Sequence, residues 1–322
     1  MTDNRLDEVA VLLKNAKNVA ISCHVRPDGD ALGSVYALKL ALENAGKRAV
    51  FFAEEQPPER LRIIPAMPDA LTEFPKDGEK FDLYVALDCA DIARLGNFYV
   101  PYSSFKGRTL NIDHHVSNTR YAQCNFVSPD STATCEILPR ILLAAGFKIT
   151  KQIADLLTLG LLTDSGNFSH NDVSSETFKV AAMLKDCGAD FCEIGYQMFT
   201  RQSKARALLY IRVLNTLRFE LEGKVAFITV RQKDFDETGT DKSHTEGFVD
   251  FALSIDGVNV SVSLLEFKPN QYKVSLRSRE INVNAVAATF GGGGHILASG
   301  CVVCGEYEEV IERLTQAIYR QL

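Results

Sequence analysis

Short β-branched runs alternate with longer helical patterns through the first half of this 322-residue chain. The predicted strands are Asn18–Cys23, Arg48–Ala53, Asp82–Leu87 and Thr109–Ile112. The helices predicted between and after them are Asp30–Ala45, Ser131–Ala145, Thr150–Leu162 and Ser174–Cys187. Such alternation favours βαβ units, and therefore an α/β fold whose sheet is mostly parallel and covered on both faces.

The second half has shorter elements and clear hairpin signals. Glu222–Gly223 separates the strand patterns Leu217–Leu221 and Lys224–Arg231, and Pro269–Asn270 separates Val258–Phe267 from Tyr272–Arg277. Helices are predicted at Asn284–Phe290 and Glu306–Leu322. We therefore predict an N-terminal α/β domain at 1–190, a helical linker at 191–215 and a smaller α+β domain at 216–322.

The charge balance excludes several classes of protein. The formal net charge is −6, and the halves on either side of residue 210 carry −3 each, so neither half is a basic module for long nucleic acid. Apolar runs fall far short of the ~18 residues of a membrane helix, and the charged start lacks a signal-peptide core. Eight cysteines without paired zinc-type spacing fit reduced thiols, so we expect a cytoplasmic protein without a membrane partner.

Four segments place Asp or His where an element ends. His24 follows a strand, and the adjoining Asp28-Gly29-Asp30 also fits a turn with a helix cap at Asp30. Asp88 alone would be explained as a cap. Asp113-His114-His115 closes an apolar strand and is not explained by packing, and Asp164 opposes the dipole of the helix that it ends. Together the four segments predict a ligand site at the carboxyl edge of the sheet.

These segments resemble the DHH phosphoesterase superfamily, whose name is the triplet Asp113-His114-His115. The resemblance covers roughly residues 18–310 and is greatest to stand-alone proteins that act as both oligoribonuclease and phosphatase of 3′-phosphoadenosine 5′-phosphate (PAP). It implies a hydrolase that releases mononucleotides from short oligoribonucleotides and also converts PAP to AMP. It further implies that the N-terminal domain is catalytic, with an active-site cleft between the two domains.

The resemblance also implies a ligand set for two divalent metal ions. His24 and Asp28 would bind one ion, Asp30, His114 and Asp164 the second, and Asp88 would bridge them. Mixed carboxylate and imidazole ligands favour Mn²⁺, with Mg²⁺ or Co²⁺ as alternatives. His115 is then free to protonate the leaving oxygen, and Asp113 to orient it; Asp88, Asp113 and His115 are the candidate catalytic residues.

A run of four glycines, Gly291–Gly294, precedes His295 near the C-terminus. It lacks the Lys-Ser/Thr of a P-loop, and by itself it also fits a flexible turn. With Ala298-Ser299-Gly300 it resembles the substrate-binding motif of the DHH-associated C-terminal domain, and the segment around Arg277 and Ser278 matches that family as well. The resemblance therefore implies that substrate contacts Arg277, Ser278, Gly292, Gly293, Gly294 and His295, with Arg279 a weaker candidate.

Several alternatives remain open from the sequence. A phosphodiesterase for cyclic or linear dinucleotides is the nearest enzymatic rival, and a catalytically inactive nucleotide-binding protein is a rival of another class. A manganese pyrophosphatase would need a basic C-terminal substrate motif, which the glycine run replaces. The expected partners are short RNA or nucleotide substrates, and a homodimer is compatible with the sequence.

Overall fold

The computed structural model describes residues 3–65, 67–75 and 81–322. The chain divides into two compact units, Met1–Arg201 and Gln202–Leu322, and the division falls inside the range 191–215. Each unit has its own sheet and its own hydrophobic core. No helix in the described part of the chain is long and apolar enough to cross a membrane.

The first unit contains a parallel sheet of five strands. The strands are β1 (Asn18–Ser22), β2 (Arg48–Phe51), β3 (Leu83–Leu87), β4 (Arg108–Asp113) and β5 (Cys124–Val127). The helices are α1 (Leu6–Asn15), α2 (Gly29–Asn44), α3 (Tyr99–Ser103), α4 (Thr134–Ala144), α5 (Lys151–Asp164), α6 (Ser175–Asp186) and α7 (Phe191–Gly195). The predicted parallel α/β architecture is confirmed; α1 and β5 were not predicted.

The strand order β2-β1-β3-β4-β5 determines where a ligand site can form. From β1 the chain first adds β2 on one side and then β3 on the other, so the order reverses between β1 and β3. In parallel sheets, loops diverge at such a reversal and leave a crevice at the carboxyl ends of the strands. The ends of β1, β3 and β4 are therefore the favoured place for a site.

Both faces of this sheet are buried. In β3, Leu83, Val85 and Leu87 pack into the core formed with α2, α4 and α5. The alternate residues Tyr84 and Ala86 pack into a second, aromatic-rich layer on the other face. Continuous burial explains why the strand has no polar alternation, since a parallel strand is covered on both sides.

Helices α2 and α5 approach each other closely at two glycines. A Cβ atom on Gly33 would lie 2.5 Å from the carbonyl oxygen of Leu156, and one on Gly160 would lie 2.6 Å from Oδ1 of Asp30. Both distances are shorter than van der Waals contact, so any larger residue would push the helices apart. This packing brings the first turn of α2 against the last turns of α5.

The second unit contains a mixed sheet in the order β10-β11-β9-β8-β7-β6. Its strands are β6 (Arg218–Glu220), β7 (Val225–Val230), β8 (Val260–Lys268), β9 (Gln271–Ser278), β10 (Gly293–His295) and β11 (Ala298–Cys304). Its helices are α8 (Lys204–Leu214), α9 (Gln232–Thr238), α10 (Phe248–Ser254), α11 (Val283–Ala288) and α12 (Tyr307–Tyr319). The two predicted hairpins, β6–β7 and β8–β9, are confirmed. The parallel pairing of β7 with β8, connected through α9 and α10, was not predicted.

Candidate metal centre

The carboxyl ends of three adjacent strands deliver the polar residues of the site. His24 comes two residues after β1, Asp88 directly follows β3, and Asp113 ends β4 with His114 and His115 next to it. Because β1, β3 and β4 are neighbours in the sheet, their ends lie side by side. The structure thus brings together residues from segments that are far apart in the sequence.

Asp88 lies between two histidines. Its Oδ2 is 3.5 Å from Nε2 of His24, and its Oδ1 is 3.5 Å from Nε2 of His114. The hydroxyl of Thr134 donates a hydrogen bond to Oδ1 at 3.2 Å. Asp88 is 1% exposed and has a φ of +51°, a left-handed conformation that non-glycine residues adopt at an energetic cost. The left-handed conformation at Asp88 directs its carboxylate into the site.

Two aspartates belong to the start of α2. Asp28, not Asp30, is the N-cap: its Oδ1 accepts the backbone N–H groups of Asp30 and Ala31 at 3.1 and 3.0 Å. Its Oδ2 remains 3.7 Å from Nε2 of His24. Asp30 is fully buried in the first turn and accepts the N–H of Thr134 at 2.6 Å. The expected cap at Asp30 is therefore wrong, because the helix begins at Gly29 and its cap is Asp28, two residues before Asp30.

Asp164 reaches the site from the last position of α5. Its Oδ2 lies 3.2 Å from Nε2 of His114, while Nδ1 of His114 is 3.2 Å from the carbonyl oxygen of Ser131. A donor hydrogen bond from Nδ1 to that carbonyl leaves Nε2 directed at the carboxylates. His170, which the sequence did not single out, lies with Nδ1 2.6 Å from the carbonyl oxygen of Asp164.

Three groups of side chains in the described part of the chain offer ligand atoms that lie within 4.8 Å of one another. They are His24, Asp28 and Asp88; Asp30, His114 and Asp164; and Asp88, His114 and His115. The first two correspond to the two ligand sets that the family resemblance implies, with Asp88 adjacent to both. The third brings His115 close to the same carboxylate.

The charges of these groups are strongly coupled. Burial lowers the pKa of His24 and of His114, but nearby carboxylates outweigh it and raise both pKa values to about 10. For Asp30, burial and the neighbouring carboxylates of Asp88 and Asp164 raise the pKa well above its usual range. Burial likewise raises the pKa of Asp164. Without a bound cation, protons on the two imidazoles and on the buried carboxyl groups reduce the net negative charge of the site.

The residues fit divalent cations. Four aspartates, from the end of β3, the start of α2 and the end of α5, lie close together and need compensating positive charge, and Asp30 and Asp88 are almost completely buried. A divalent cation supplies that charge and replaces the protons held by the imidazoles. The donor set of carboxylate oxygens and imidazole nitrogens suits Mn²⁺, Co²⁺ or Zn²⁺ better than the all-oxygen environment preferred by Mg²⁺.

His115 belongs to a series of hydrogen bonds that continues through Asp113 to Asn118. Its Nδ1 lies 2.8 Å from Oδ1 of Asp113, and the Asn118 amide donates to Oδ2 of the same carboxylate at 2.5 Å. Burial alone would raise the pKa of Asp113, but these partners lower it. In turn, the hydrogen bond with Asp113 raises the pKa of His115. The arrangement fixes the orientation of the imidazole and favours its protonated form.

The sequence analysis missed Thr134 and Asn118, which hold the carboxylates in place. Thr134 begins α4 after a run of small polar residues, and Asn118 lies in the loop after the histidine pair. The sequence signal for Thr134 was the cluster of hydroxyl residues directly before α4. It could not be assigned because such residues are common at helix starts.

In the second unit the candidate substrate residues lie on neighbouring strands. Arg277 is near the end of β9, half-exposed, with Nε 3.4 Å from Oδ1 of Asp250. It pairs in register with Ala298 of β11. Ser278 is buried, and its hydroxyl accepts the N–H groups of Glu280 and Ile281 at 3.1 and 2.9 Å. The Ser278 hydroxyl therefore stabilises a turn.

The glycine run does not form an open loop. Gly293, Gly294 and His295 form β10, which pairs antiparallel with β11 as the edge strand of the sheet. A Cβ on Gly292 would lie 2.2 Å from the carbonyl oxygen of Gly300, so the close approach of β11 requires glycine there. As an edge strand, β10 leaves one row of backbone groups without a strand partner, and the side chain of His295 is exposed.

Comparison with protein families matches both units. The model of the DHH family, N-terminal domain, matches residues 18–161, and the DHHA1 domain model matches residues 222–322. The first match contains the strand ends that carry His24, Asp88 and Asp113–His115. The second contains β9, β10 and β11.

Individual proteins are similar over nearly their whole length. The bifunctional oligoribonuclease and PAP phosphatase NrnA of Thermus thermophilus is 32% identical over 320 residues, which are 98% of this chain and 93% of that protein. The protein of the same name from Bacillus subtilis is 25% identical, with 87% of each chain covered. The crystal structure of an exopolyphosphatase-related protein from Bacteroides fragilis matches with a TM-score of 0.81 and 27% identity, over 98% of this chain and 95% of that one. The chain therefore belongs to the DHH phosphoesterase superfamily, within which it is similar to the NrnA-type proteins.

Proposed function

We propose that this protein is a metal-dependent phosphoesterase that hydrolyses short oligoribonucleotides to mononucleotides and removes the 3′-phosphate of PAP. The observation that carries the proposal is Asp88, whose two oxygens lie at 3.5 Å from two different histidines. One carboxylate shared by two ligand groups is what a dinuclear site requires. The names of the Thermus and Bacillus relatives supply the substrate class.

In this proposal His24, Asp28 and Asp88 hold one cation, and Asp30, Asp88, His114 and Asp164 hold the other. Two divalent cations, Mn²⁺ by preference, would supply positive charge that stabilises a phosphoryl group during transfer. His115 donates a proton to the leaving oxygen, because Asp113 accepts its Nδ1 hydrogen and leaves Nε2 for substrate.

We further propose that the second unit contributes substrate contacts. Arg277 and the exposed His295 would bind phosphate or ribose, and the outer backbone row of β10 would offer N–H donors. The net charge of −6 disfavours long nucleic acid, because each phosphate beyond the bound part would meet repelling surface. A preference for substrates of a few nucleotides follows.

A panel of substrates tests the proposal. The purified protein is incubated with Mn²⁺ and a dinucleotide, RNA of about 5 and about 20 nucleotides, PAP, a cyclic dinucleotide or pyrophosphate, and the products are separated by chromatography. We expect kcat/KM to be highest for the shortest RNA and AMP to appear from PAP. Exclusive cleavage of the cyclic dinucleotide would replace the proposal with the dinucleotide phosphodiesterase alternative. Binding of nucleotides without any turnover would replace it with an inactive binding protein.

A further inference from the structure

A cavity of about 240 Å³ opens in the first unit beside His24. It is formed by the loop that follows β1, the residues after β2 and the short 3-10 helix that begins at Ile92. Its walls combine apolar side chains with four polar ones, His24, Arg26, Glu54 and Glu55. A cavity of this size is smaller than the sites of drug-sized ligands and suits one flat heterocyclic group.

Arg26 is held in a costly conformation at this cavity. Its φ is +54°, in the left-handed region, although it is not glycine. Its side chain is exposed, and no hydrogen bond or ion pair with another described residue holds the guanidinium. It stands between the two candidate ligands His24 and Asp28. Backbone strain in a residue between two candidate metal ligands suggests that the residue has a function.

Glu54 lies on another wall of the cavity, with its side chain exposed. The backbone of Gly96, with a φ of +58°, runs directly beneath it: an added Cβ would lie 2.2 Å from Oε2 of Glu54 and 2.5 Å from Cγ1 of Val25. The N–H of Val25 also donates to the carbonyl oxygen of Arg94 at 2.8 Å. The backbone of Gly96 therefore leaves room for the Glu54 carboxylate at the cavity, and a side chain at position 96 would displace it.

The chemistry of the lining indicates what the cavity binds. Two carboxylates at one small cavity repel a phosphate, and they accept hydrogen bonds without being able to donate. Apolar walls and a guanidinium plane suit the faces of a nucleobase, which stacks on arginine. A base that presents an amino group, such as cytosine, complements the carboxylates, whereas uracil presents a carbonyl oxygen at the same position.

We propose that this cavity binds the nucleobase adjacent to the phosphate at the metal centre, with Arg26 stacked on the base and Glu54 and Glu55 accepting hydrogen bonds from its amino group. The inference rests on the proposed function, because His24 belongs both to the cavity and to the candidate ligand set. It makes these three residues determinants of base preference in short substrates.

The first test compares cytidine and uridine dinucleotides, whose bases differ at C4, which carries an amino group or a carbonyl oxygen, and at N3, which accepts a hydrogen bond in cytosine and donates one in uracil. We expect wild-type kcat/KM to favour the cytidine substrate, and the Glu54→Gln/Glu55→Gln double variant to lose about tenfold of that preference, because an amide can donate to a carbonyl. Glu59→Gln, an exposed glutamate outside the cavity, is the matched control and should keep the preference. An unchanged cytidine-to-uridine ratio in the double variant would overturn the inference.

The second test does not depend on turnover. Cytidine and uridine, which carry no phosphate, are titrated into the metal-free protein by calorimetry, with Arg26→Gly alongside wild type. Glycine adopts the left-handed conformation without cost, which offsets the greater conformational entropy of glycine in the unfolded chain. This variant should therefore unfold at a similar temperature while losing cytidine affinity several-fold. Equal affinity of wild type for both nucleosides, or full affinity in Arg26→Gly, would refute the assignment. If no dinucleotide is hydrolysed but cytidine binds selectively, the proposed function fails and the cavity assignment stands.

Discussion

Nδ1 of His115 lies 2.8 Å from Oδ1 of the fully buried Asp113. This hydrogen bond raises the pKa of His115 and so favours the protonated imidazole that a general acid requires. Asp113→Asn removes the charge and lowers that pKa. We therefore expect the descending alkaline limb of the pH–rate profile to move to lower pH, with a rate loss of about 10–100-fold.

The profile is measured as kcat/KM for a dinucleotide across neutral and alkaline pH. Asp172→Asn, an exposed aspartate outside the three ligand groups, is the control and should leave the profile unchanged. An alkaline limb at the wild-type position in Asp113→Asn would show that His115 is not the proton donor.

The adjacent histidines should respond differently to truncation. His114 lies 3.2 Å from Asp164 and 3.5 Å from Asp88, so His114→Ala should lower the bound metal. His115 is oriented by Asp113, so His115→Ala should keep its metal and lose rate by roughly 10²–10⁴. Metal analysis of the purified variants and steady-state kinetics separate the two cases. Equal metal loss in both would mean that His115 is also a ligand, as its 3.7 Å distance from Asp88 permits.

Asp88→Asn tests the sharing of one carboxylate. If Asp88 contacts two cations, its loss should abolish turnover and remove more than one bound ion per chain, because both ligand groups lose a charged member. The volume of the side chain is unchanged, so the fold should persist. Two ions that remain tightly bound to this variant would contradict the shared-ligand model.

Metal binding should release protons. In the metal-free protein the pKa values of His24 and His114 are about 10, so both imidazoles are protonated at neutral pH. A cation binds only the neutral imidazole, and metal affinity should therefore rise as the pH rises towards 10. Calorimetry in buffers with different ionisation enthalpies measures the released protons. Binding without proton release would show that the histidines are not ligands.

Arg277 and Arg279 provide a matched pair in the second unit. Arg277→Ala should raise KM for a dinucleotide several-fold and leave the metal content unchanged, since its guanidinium is half-exposed next to Asp250. Arg279 donates to the carbonyl oxygen of Leu253, and Arg279→Ala should have a smaller effect. Equal KM values for the two variants would remove Arg277 from the substrate contacts.

The first sheet was largely predictable because the predicted strands are dominated by apolar and β-branched residues. β5 was missed because its centre is Asn125, a residue typical of turns. That asparagine is buried and satisfied locally: its amide donates to the carbonyl oxygen of Ala122 at 2.8 Å. A short strand stabilised by such side-chain hydrogen bonds has no periodic signal. The parallel pairing of β7 with β8 was equally hidden, since the connecting helices α9 and α10 have only seven residues each.

The acidic and histidine residues of the site could be found from the sequence because they fall at element ends. Their supports could not, because a supporting hydrogen bond joins residues that are distant in the chain. Thr134 reaches Asp30 across 104 positions, and no local pattern encodes that contact. The left-handed conformations of Asp88 and Arg26 were likewise not predicted, since Arg rarely adopts a positive φ and most Asp residues do not.

The close approach of α2 and α5 limits how this chain can diverge during evolution. Asp30 belongs to one helix and Asp164 to the other, and Gly160 lies directly against Asp30. A single methyl group at Gly160 would separate two residues of the same ligand group without altering either of them. Selection on catalysis should therefore act on this glycine as strongly as on the aspartates, and chance substitutions there should behave as loss-of-function alleles even where the protein still folds.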